Sequence, residues 1–328
     1  MDVQRNQNST GLDMIANTSI EKEVLTGLSK RQKELPPKLL YDKKGSEIFE
    51  KICLLDEYYP TRSENEILQT FSSEISKIIG RNALIIEPGS GAGDKVRHLI
   101  PHLIDPAGYV PIEISQDILY RMTTELRDEF PGLEIYPICA DFNQNIEIPI
   151  PEKDKLLRKV VFFPGSTIGN FNPDDVVKFL EKMGQLIGPS GGLLVGVDLK
   201  KDPIDLKKAY NDSCGVTSDL NMNLLERLNR ECGATFNRDY FSHDAFYNKD
   251  KGRVEMHLVS KVKQFIKIHG TVLKFEEGET IHTESSYKYN VDEFVEICAL
   301  AKYKIKKTWK DRKRKFCVYF FEREQVLQ

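Results

Sequence analysis

No two cysteines of this 328-residue chain stand in a C-x-x-C spacing. Cys53, Cys139, Cys214, Cys232, Cys298 and Cys317 are scattered, mostly among apolar residues. They read as reduced, buried small hydrophobes, which fits a cytoplasmic protein. Among the histidines only His98 and His102 are spaced H-x-x-x-H, with Pro101 between them and no acid cluster alongside. That pair reads as a surface helix end, and no metal is expected. No run approaches the roughly 20 apolar residues of a membrane helix. Met1 to Thr10 lack an apolar signal-peptide core and read as the start of a disordered lead, residues 1–19. A net charge of −3 gives no electrostatic reason to expect nucleic acid or an anionic membrane as partner. A monomer without either partner is the expectation.

The chain is long enough for two domains or one elaborated domain. Its most informative stretch runs from Asn82 to Lys95. The apolar residues Ala83 to Ile86 end in Glu87 and give way to Gly89, Gly91 and Gly93. A helix-like segment, Asp94 to Ile100, follows. This pattern is a buried parallel strand entering a glycine-rich turn ahead of a helix N-terminus. Glycines suit such a turn because a nucleotide-derived ligand lies against bare backbone, at φ angles other residues avoid. An acid ending the strand is a poor neighbour for a pyrophosphate and a good one for an ammonium group. The pattern therefore points to a cationic adenosine ligand, S-adenosylmethionine (SAM), rather than NAD. Glu113 ends a second apolar run about twenty residues further on, where such folds place a carboxylate for ribose hydroxyls. Asp141 and Phe142 end a third run, offering an acceptor for an adenine amino group and a ring to pack on the base.

The rest of the chain alternates in the same way. Thr61 and Glu64 have the spacing of a capping box, for a helix with Ile67, Leu68, Phe71, Ile75 and Ile79 on one face. Strands are expected at Lys159–Phe163 and Leu193–Asp198, with helices at Pro173–Ile187 and Val291–Ala301. Lys304–Trp309 and Phe316–Phe321 flank a basic turn and read as a closing hairpin. Five βα units and an antiparallel hairpin predict an α/β fold, the Rossmann-like seven-stranded sheet of a class I SAM-dependent methyltransferase. An insertion of roughly ninety residues before the last helix is too long for a plain loop. It reads as helical over 220–232 and extended over 253–259, 265–275 and 280–289. Residues 20–62 and 199–288 are thus expected to form a mixed α+β substrate-binding domain. Residues 63–198 and 289–328 form the expected SAM-binding domain.

Short runs then become specific. They are Leu40-Tyr41-Asp42, Gly45-Ser46, Glu57 to Arg62, the glycine loop with Lys95, Asp141-Phe142, Gly165 to Asn170 and Asp198 to Asp202. Ala209-Tyr210, Gly215 to Thr217, Leu228 to Glu231, Glu255-Met256 and Glu279, Thr283, Glu284 and Ser286 continue the series. Through these runs the chain resembles the histidine Nα-methyltransferases of ergothioneine biosynthesis, which make hercynine. The resemblance implies SAM as cofactor and L-histidine as substrate, trimethylated on its α-amine. It implies that Tyr58, Asn170 and Tyr210 hold the amino-acid head group, with Gly165 beside them. Tyr41 matches a tyrosine near the methyl-accepting amine and the cofactor; Tyr41, Tyr58 and Asn170 are the expected catalytic residues. Glu284 and Ser286 match the pair that recognises the imidazole, with Thr217 and Met256 lining that pocket. Glu87, Gly89, Gly91, Gly93, Lys95, Glu113, Asp141 and Phe142 match the cofactor contacts.

The chemistry of these residue types agrees. A carboxylate facing an imidazole N–H makes a charge-assisted bond, and a neighbouring hydroxyl can fix the tautomer. Tyrosine hydroxyls and an asparagine amide offer a zwitterion donors and acceptors without adding charge. Four positions depart from the family pattern: Glu113 and Asn211 stand where Asp is usual, Leu220 replaces an aromatic, and Ser285 replaces an apolar residue. Leu220 and Ser285 are placed to reshape the pocket. The alternative is a related N-methyltransferase acting on another amino acid or amine, such as an indolic one. Glu284 and Met256 argue against it, because an indole gains little from a buried carboxylate. A silent binding protein would not need the cofactor acids and glycines, and the Pro-Pro-Tyr and Pro-Cys elements of nucleic-acid methyltransferases are missing.

Overall fold

A computed structural model describes residues 20–144, 146–148 and 157–324. The N-terminal lead, residues 1–19, lies outside the described residues. The chain divides into two compact units. The first contains the residues up to Glu57, Pro203–Lys249 and Arg253–Ser285; the second contains Tyr58–Asp202, Asp250–Gly252 and the residues from Ser286 onward.

A seven-stranded sheet organises the second unit. Its strands are β1 (Ala83–Pro88), β2 (Gly108–Glu113), β3 (Ile138–Cys139), β4 (Arg158–Phe163), β5 (Gly192–Asp198), β6 (Tyr303–Lys310) and β7 (Phe316–Arg323). They lie in the order β6-β7-β5-β4-β1-β2-β3. β1 to β5 run parallel, while β7 is antiparallel to both β5 and β6. This is the fold expected of a class I SAM-dependent methyltransferase. Every residue of β1 is buried, as a parallel strand covered on both faces requires. Alternation sends Leu84 and Ile86 into a core with the helices Pro173–Ile187 and Val291–Leu300. Ala83 and Ile85 enter the opposite core, with the helix Tyr59–Ile79.

Three local expectations need correction here. Thr61 and Glu64 form no capping box: the helix starts at Tyr59, with Tyr58 as N-cap and no side-chain cap. Pro60, set for a first helical turn, moves the start upstream, and the Glu64 carboxylate is used elsewhere. The third strand is only Ile138–Cys139, with an isolated bridge from Ile135 to Tyr109. Pro137 has no N–H for the ladder and interrupts it. The helix behind the glycine loop is a single turn, Val96–Leu99, passing into a 3-10 turn that contains Pro101.

The first unit holds a four-stranded sheet in the order Lys33–Glu34, Thr280–Tyr287, Arg253–Ser260, Phe241–Asn248. Helix Val216–Cys232 packs on two of these strands and on helix Lys43–Cys53. The extended run 265–275 is a pair of strands, Gln264–Ile268 and Thr271–Phe275, antiparallel around His269 and Gly270. His269 adopts φ 49° at that turn. Among the described residues no helix is long and apolar enough to cross a membrane. All six cysteines are free thiols.

Candidate active site

In the second unit the glycine loop leaves β1 with φ 68° at Gly89, 52° at Gly91 and 73° at Gly93. These left-handed values favour glycine. A Cβ at Gly93 would sit 2.8 Å from the Met122 side chain, and one at Gly89 would press on the Phe142 ring at 3.2 Å. At Gly91 a Cβ would meet nothing within 4 Å. Bare backbone therefore borders open space there, which fits an adenosine-type ligand laid against the loop. Glu113, at the end of β2, accepts from the Gly91 N–H at 3.1 Å and from the Ile114 and Ser115 N–H groups at 2.9 and 3.1 Å. It braces the loop that it neighbours. Asp141 accepts from the Asn143 backbone and side chain, both at 2.9 Å. Phe142 joins Phe163, Phe171 and Phe179 in an edge-on aromatic cluster.

Glu64 is the residue that the sequence pattern misassigned. Its buried carboxylate pairs with Lys95 and accepts from the Gly165 N–H at 2.8 Å. One carboxylate thus ties the glycine loop to the turn that follows β4. That turn carries Gly165 at φ 83° and Ser166 at φ 57°, then the 3-10 segment Thr167–Asn170. Ser166 Oγ accepts from the Asp198 N–H at 2.9 Å, so Asn170 is held on a short, anchored segment.

Glu87 ends β1 buried, accepting from the Tyr109 hydroxyl at 2.6 Å. Burial, only partly opposed by that hydrogen bond and by Lys95, pushes its carboxyl up to about 8. The folded protein therefore keeps a proton that the unfolded chain has released. Stability from this source is complete below the usual 4.5 and is lost as pH rises towards 8. The uncharged isostere Glu87→Gln should gain melting temperature over the parent as pH is raised from 5 to about 8, the gain levelling off above that. Thermal melts of the cofactor-free protein check this; a difference independent of pH would contradict it.

In the first unit, Tyr41 precedes the helix Lys43–Cys53, whose N-cap is Asp42. Asp42 accepts from the Gly45 N–H at 2.8 Å, from Asn223 at 2.8 Å and from Arg230 at 2.6 Å. Burial works against its charge, yet these donors hold the carboxyl below its usual range. A Cβ at Gly45 would overlap the Leu40 carbonyl at 1.8 Å, so only glycine permits this tight entry. Burial, then the charge of Glu284, then Tyr210, raise the Tyr41 hydroxyl well above its ordinary value. Tyr41, Tyr210 and Glu284 therefore share one electrostatic neighbourhood, and the phenol is neutral at physiological pH. Asp212 fastens the start of helix Val216–Cys232 by accepting from the Val216 and Thr217 N–H groups at 2.9 and 2.7 Å. Thr217, Met256 and Glu284 are buried.

A family model described as "Histidine-specific methyltransferase, SAM-dependent" matches residues 20–323. The chain belongs to this family. Among its relatives, the histidine N-alpha-methyltransferase of Mycolicibacterium smegmatis is 36% identical over 302 residues, spanning 90% of this chain and 92% of the relative. That of Mycobacterium tuberculosis is 38% identical over 277 residues, 83% and 84% of the two chains. Ergothioneine biosynthesis protein 1 of Neurospora crassa is 29% identical over 280 residues, which are 80% of this chain and 30% of that protein.

This methyltransferase also carries a cluster that sequence spacing did not disclose, because one member lies on a different strand. Glu255, His257 and His282 place donor atoms within 4.8 Å of one another. Phe246, His257 and His282 stack in turn, the two imidazoles 4.8 Å apart and 12° from parallel. Lone pairs of stacked rings lie in separate planes and do not converge on one point. Arg253 and His257 already take the Glu255 carboxylate, at 2.8 and 3.1 Å. Burial opposes that charge, yet the His257 and Arg253 hydrogen bonds bring Glu255 down to about 2. Burial, followed by His257, lowers His282 to about 4, so its ring is neutral. Its Nε2 lies 3.0 Å from the Glu284 carbonyl, an acceptor only, so the proton resides on Nε2. Ser285, one of the four departures from the family pattern, lies 3.1 Å from the same Nε2.

Proposed function

We propose that this enzyme transfers methyl groups from SAM to the α-amine of L-histidine, three times in succession, giving hercynine. The observation that carries the substrate assignment is buried Glu284, close enough to raise the Tyr41 hydroxyl and two residues before buried Ser286 on the same strand. In this reading Glu284 accepts from one imidazole nitrogen and Ser286 addresses the other, with Thr217 and Met256 lining the ring. Tyr58, Asn170 and Tyr210 hold the carboxylate and amine, beside Gly165. Gly89, Gly91, Gly93, Glu113, Asp141 and Phe142 hold the cofactor, assisted by Lys95 and Glu87. The first unit is then the substrate-binding domain and the second the SAM-binding domain. Six free thiols and a net charge of −3 support a cytoplasmic monomer without nucleic acid.

SAM supplies an intrinsically electrophilic methyl group on its sulfonium. The protein's task is placement: the α-amine must be unprotonated and in line with the methyl–sulfur bond at near-attack distance. Because Tyr41 is neutral at physiological pH, it acts as a relay, passing the amine proton towards solvent as it gives up its own. No strong base is required, since an ammonium loses a proton readily at neutral to mildly alkaline pH. Aromatic faces accommodate the quaternary product. Calorimetry with L-histidine, its mono- and dimethyl forms and L-tryptophan tests the assignment. The histidine series should bind and tryptophan should not; preferred binding of tryptophan would move the enzyme to the indolic alternative.

A further inference from the structure

In the first unit the helix Pro203–Tyr210 packs on the strand Phe241–Asn248. Its last carbonyls have no partner within the helix, as at any helix C-terminus. His243, on that strand, meets the final one: its Nε2 lies 2.9 Å from the Tyr210 carbonyl oxygen. The other ring nitrogen, Nδ1, lies 3.0 Å from the side-chain nitrogen of Asn221. Asn221 is fully buried on helix Val216–Cys232, and the same nitrogen lies 3.1 Å from the His257 carbonyl oxygen. Residues 211–215, between the two helices, are thus fastened at both ends. Asp212 holds the Val216 and Thr217 N–H groups at the start of one helix. His243, itself held by that helix through Asn221, takes the end of the other.

These contacts fix the protons. A carbonyl only accepts, so the Asn221 atom facing His257 is the NH2 group; turning the amide over would set two oxygens against each other. The second hydrogen of that NH2 points to His243 Nδ1, which is therefore the unprotonated nitrogen. Nε2 carries the ring proton and donates it to the Tyr210 carbonyl, again an acceptor only. Both ends demand the same neutral tautomer. Burial lowers the pKa of the ring, against the Tyr210 carbonyl and the charges of Asp244 and Asp212, and His257 adds to the lowering. We propose that His243, oriented by Asn221, is a positioning residue that holds the Tyr210 backbone and so aims the Tyr210 side chain at the amino-acid head group. This rests on the reading that Tyr210 holds that head group. Protein groups take both His243 nitrogens, so it acts through Tyr210.

Steady-state kinetics of His243→Phe, His243→Gln, Tyr210→Phe and the His243→Phe, Tyr210→Phe double variant test this. His243→Phe keeps an aromatic ring and loses the donor, and kcat/KM for histidine should fall about tenfold. SAM affinity measured by calorimetry should stay unchanged. His243→Gln can still donate from its amide to the Tyr210 carbonyl and should recover most of the loss. Tyr210→Phe keeps that carbonyl and removes the hydroxyl; in this background His243→Phe should change kcat/KM by less than about twofold. A loss undiminished in that background would overturn the inference and leave the histidine assignment standing. Wild-type kcat/KM in Tyr210→Phe alone would instead overturn the reading of Tyr210 as a head-group residue. The wild-type enzyme supplies a further arm that no failure of a variant to fold can obscure. Nitrogen NMR of the enzyme with ring-labelled histidines, at neutral pH, should show His243 protonated on Nε2 and unprotonated on Nδ1. The opposite tautomer, or an imidazolium, would contradict the role.

Discussion

Replacing Glu284 with alanine should raise the KM for histidine by about thirtyfold or more and leave SAM affinity unchanged. The size follows from the setting. Glu284 is buried, and removing one partner of a desolvated, charge-assisted hydrogen bond costs about 2–5 kcal/mol. The effect should fall mainly on KM, because the ring takes no part in the bond changes at the α-amine. Tyr41 provides an internal control: with the Glu284 charge gone, one cause of its raised ionisation disappears, although burial, the largest, remains. Steady-state kinetics together with SAM calorimetry measure both quantities. A variant that binds histidine normally would remove Glu284 from the pocket.

Glu64→Ala is the second large effect, and it concerns stability. The carboxylate is buried and engages both Lys95 and the Gly165 N–H. Breaking a buried pair by deleting one partner costs about 3–5 kcal/mol, because the other charge is left uncompensated. Lys95 retains some exposure, which places the expected loss near the lower end of that range. Glu64→Gln keeps an acceptor for Gly165 and should lose about half as much, on the order of 1–2 kcal/mol. Denaturant unfolding of the three proteins gives the comparison. An alanine variant within about 0.5 kcal/mol of the parent, as for an ordinary surface change, would mean that the two loops do not depend on Glu64.

Glu64 also shows where the sequence was hard to read. Thr61 and Glu64 have capping-box spacing, but Pro60 fits a first helical turn and draws the start to Tyr59. The parallel strands were legible because strands buried on both faces are continuous apolar runs, as in β1, β4 and β5. β3 was overestimated because Pro137 interrupts hydrogen bonding without changing the apolar pattern. Strand Phe241–Asn248 was missed because its sequence, with Ser242, His243 and Asp244 side by side, offers no clean alternation. Helix Pro203–Tyr210 is short and ends on Tyr210, which stood out only through family resemblance. Cofactor candidates were legible because their acids lie at successive strand ends. The buried Asp198–Lys288 ion pair and the Glu255–His257–His282 cluster were not, since strand pairing and register bring together residues distant in sequence.

The central claim is that one chain holds an amino acid by its ring and presents its amine to SAM. Incubating the purified enzyme with SAM carrying a labelled methyl group and an equimolar panel of amino acids, followed by mass spectrometry, tests it most directly. The account predicts that histidine alone acquires label, through mono- and dimethyl intermediates to the trimethylated product. Label on another amine with histidine untouched would contradict it.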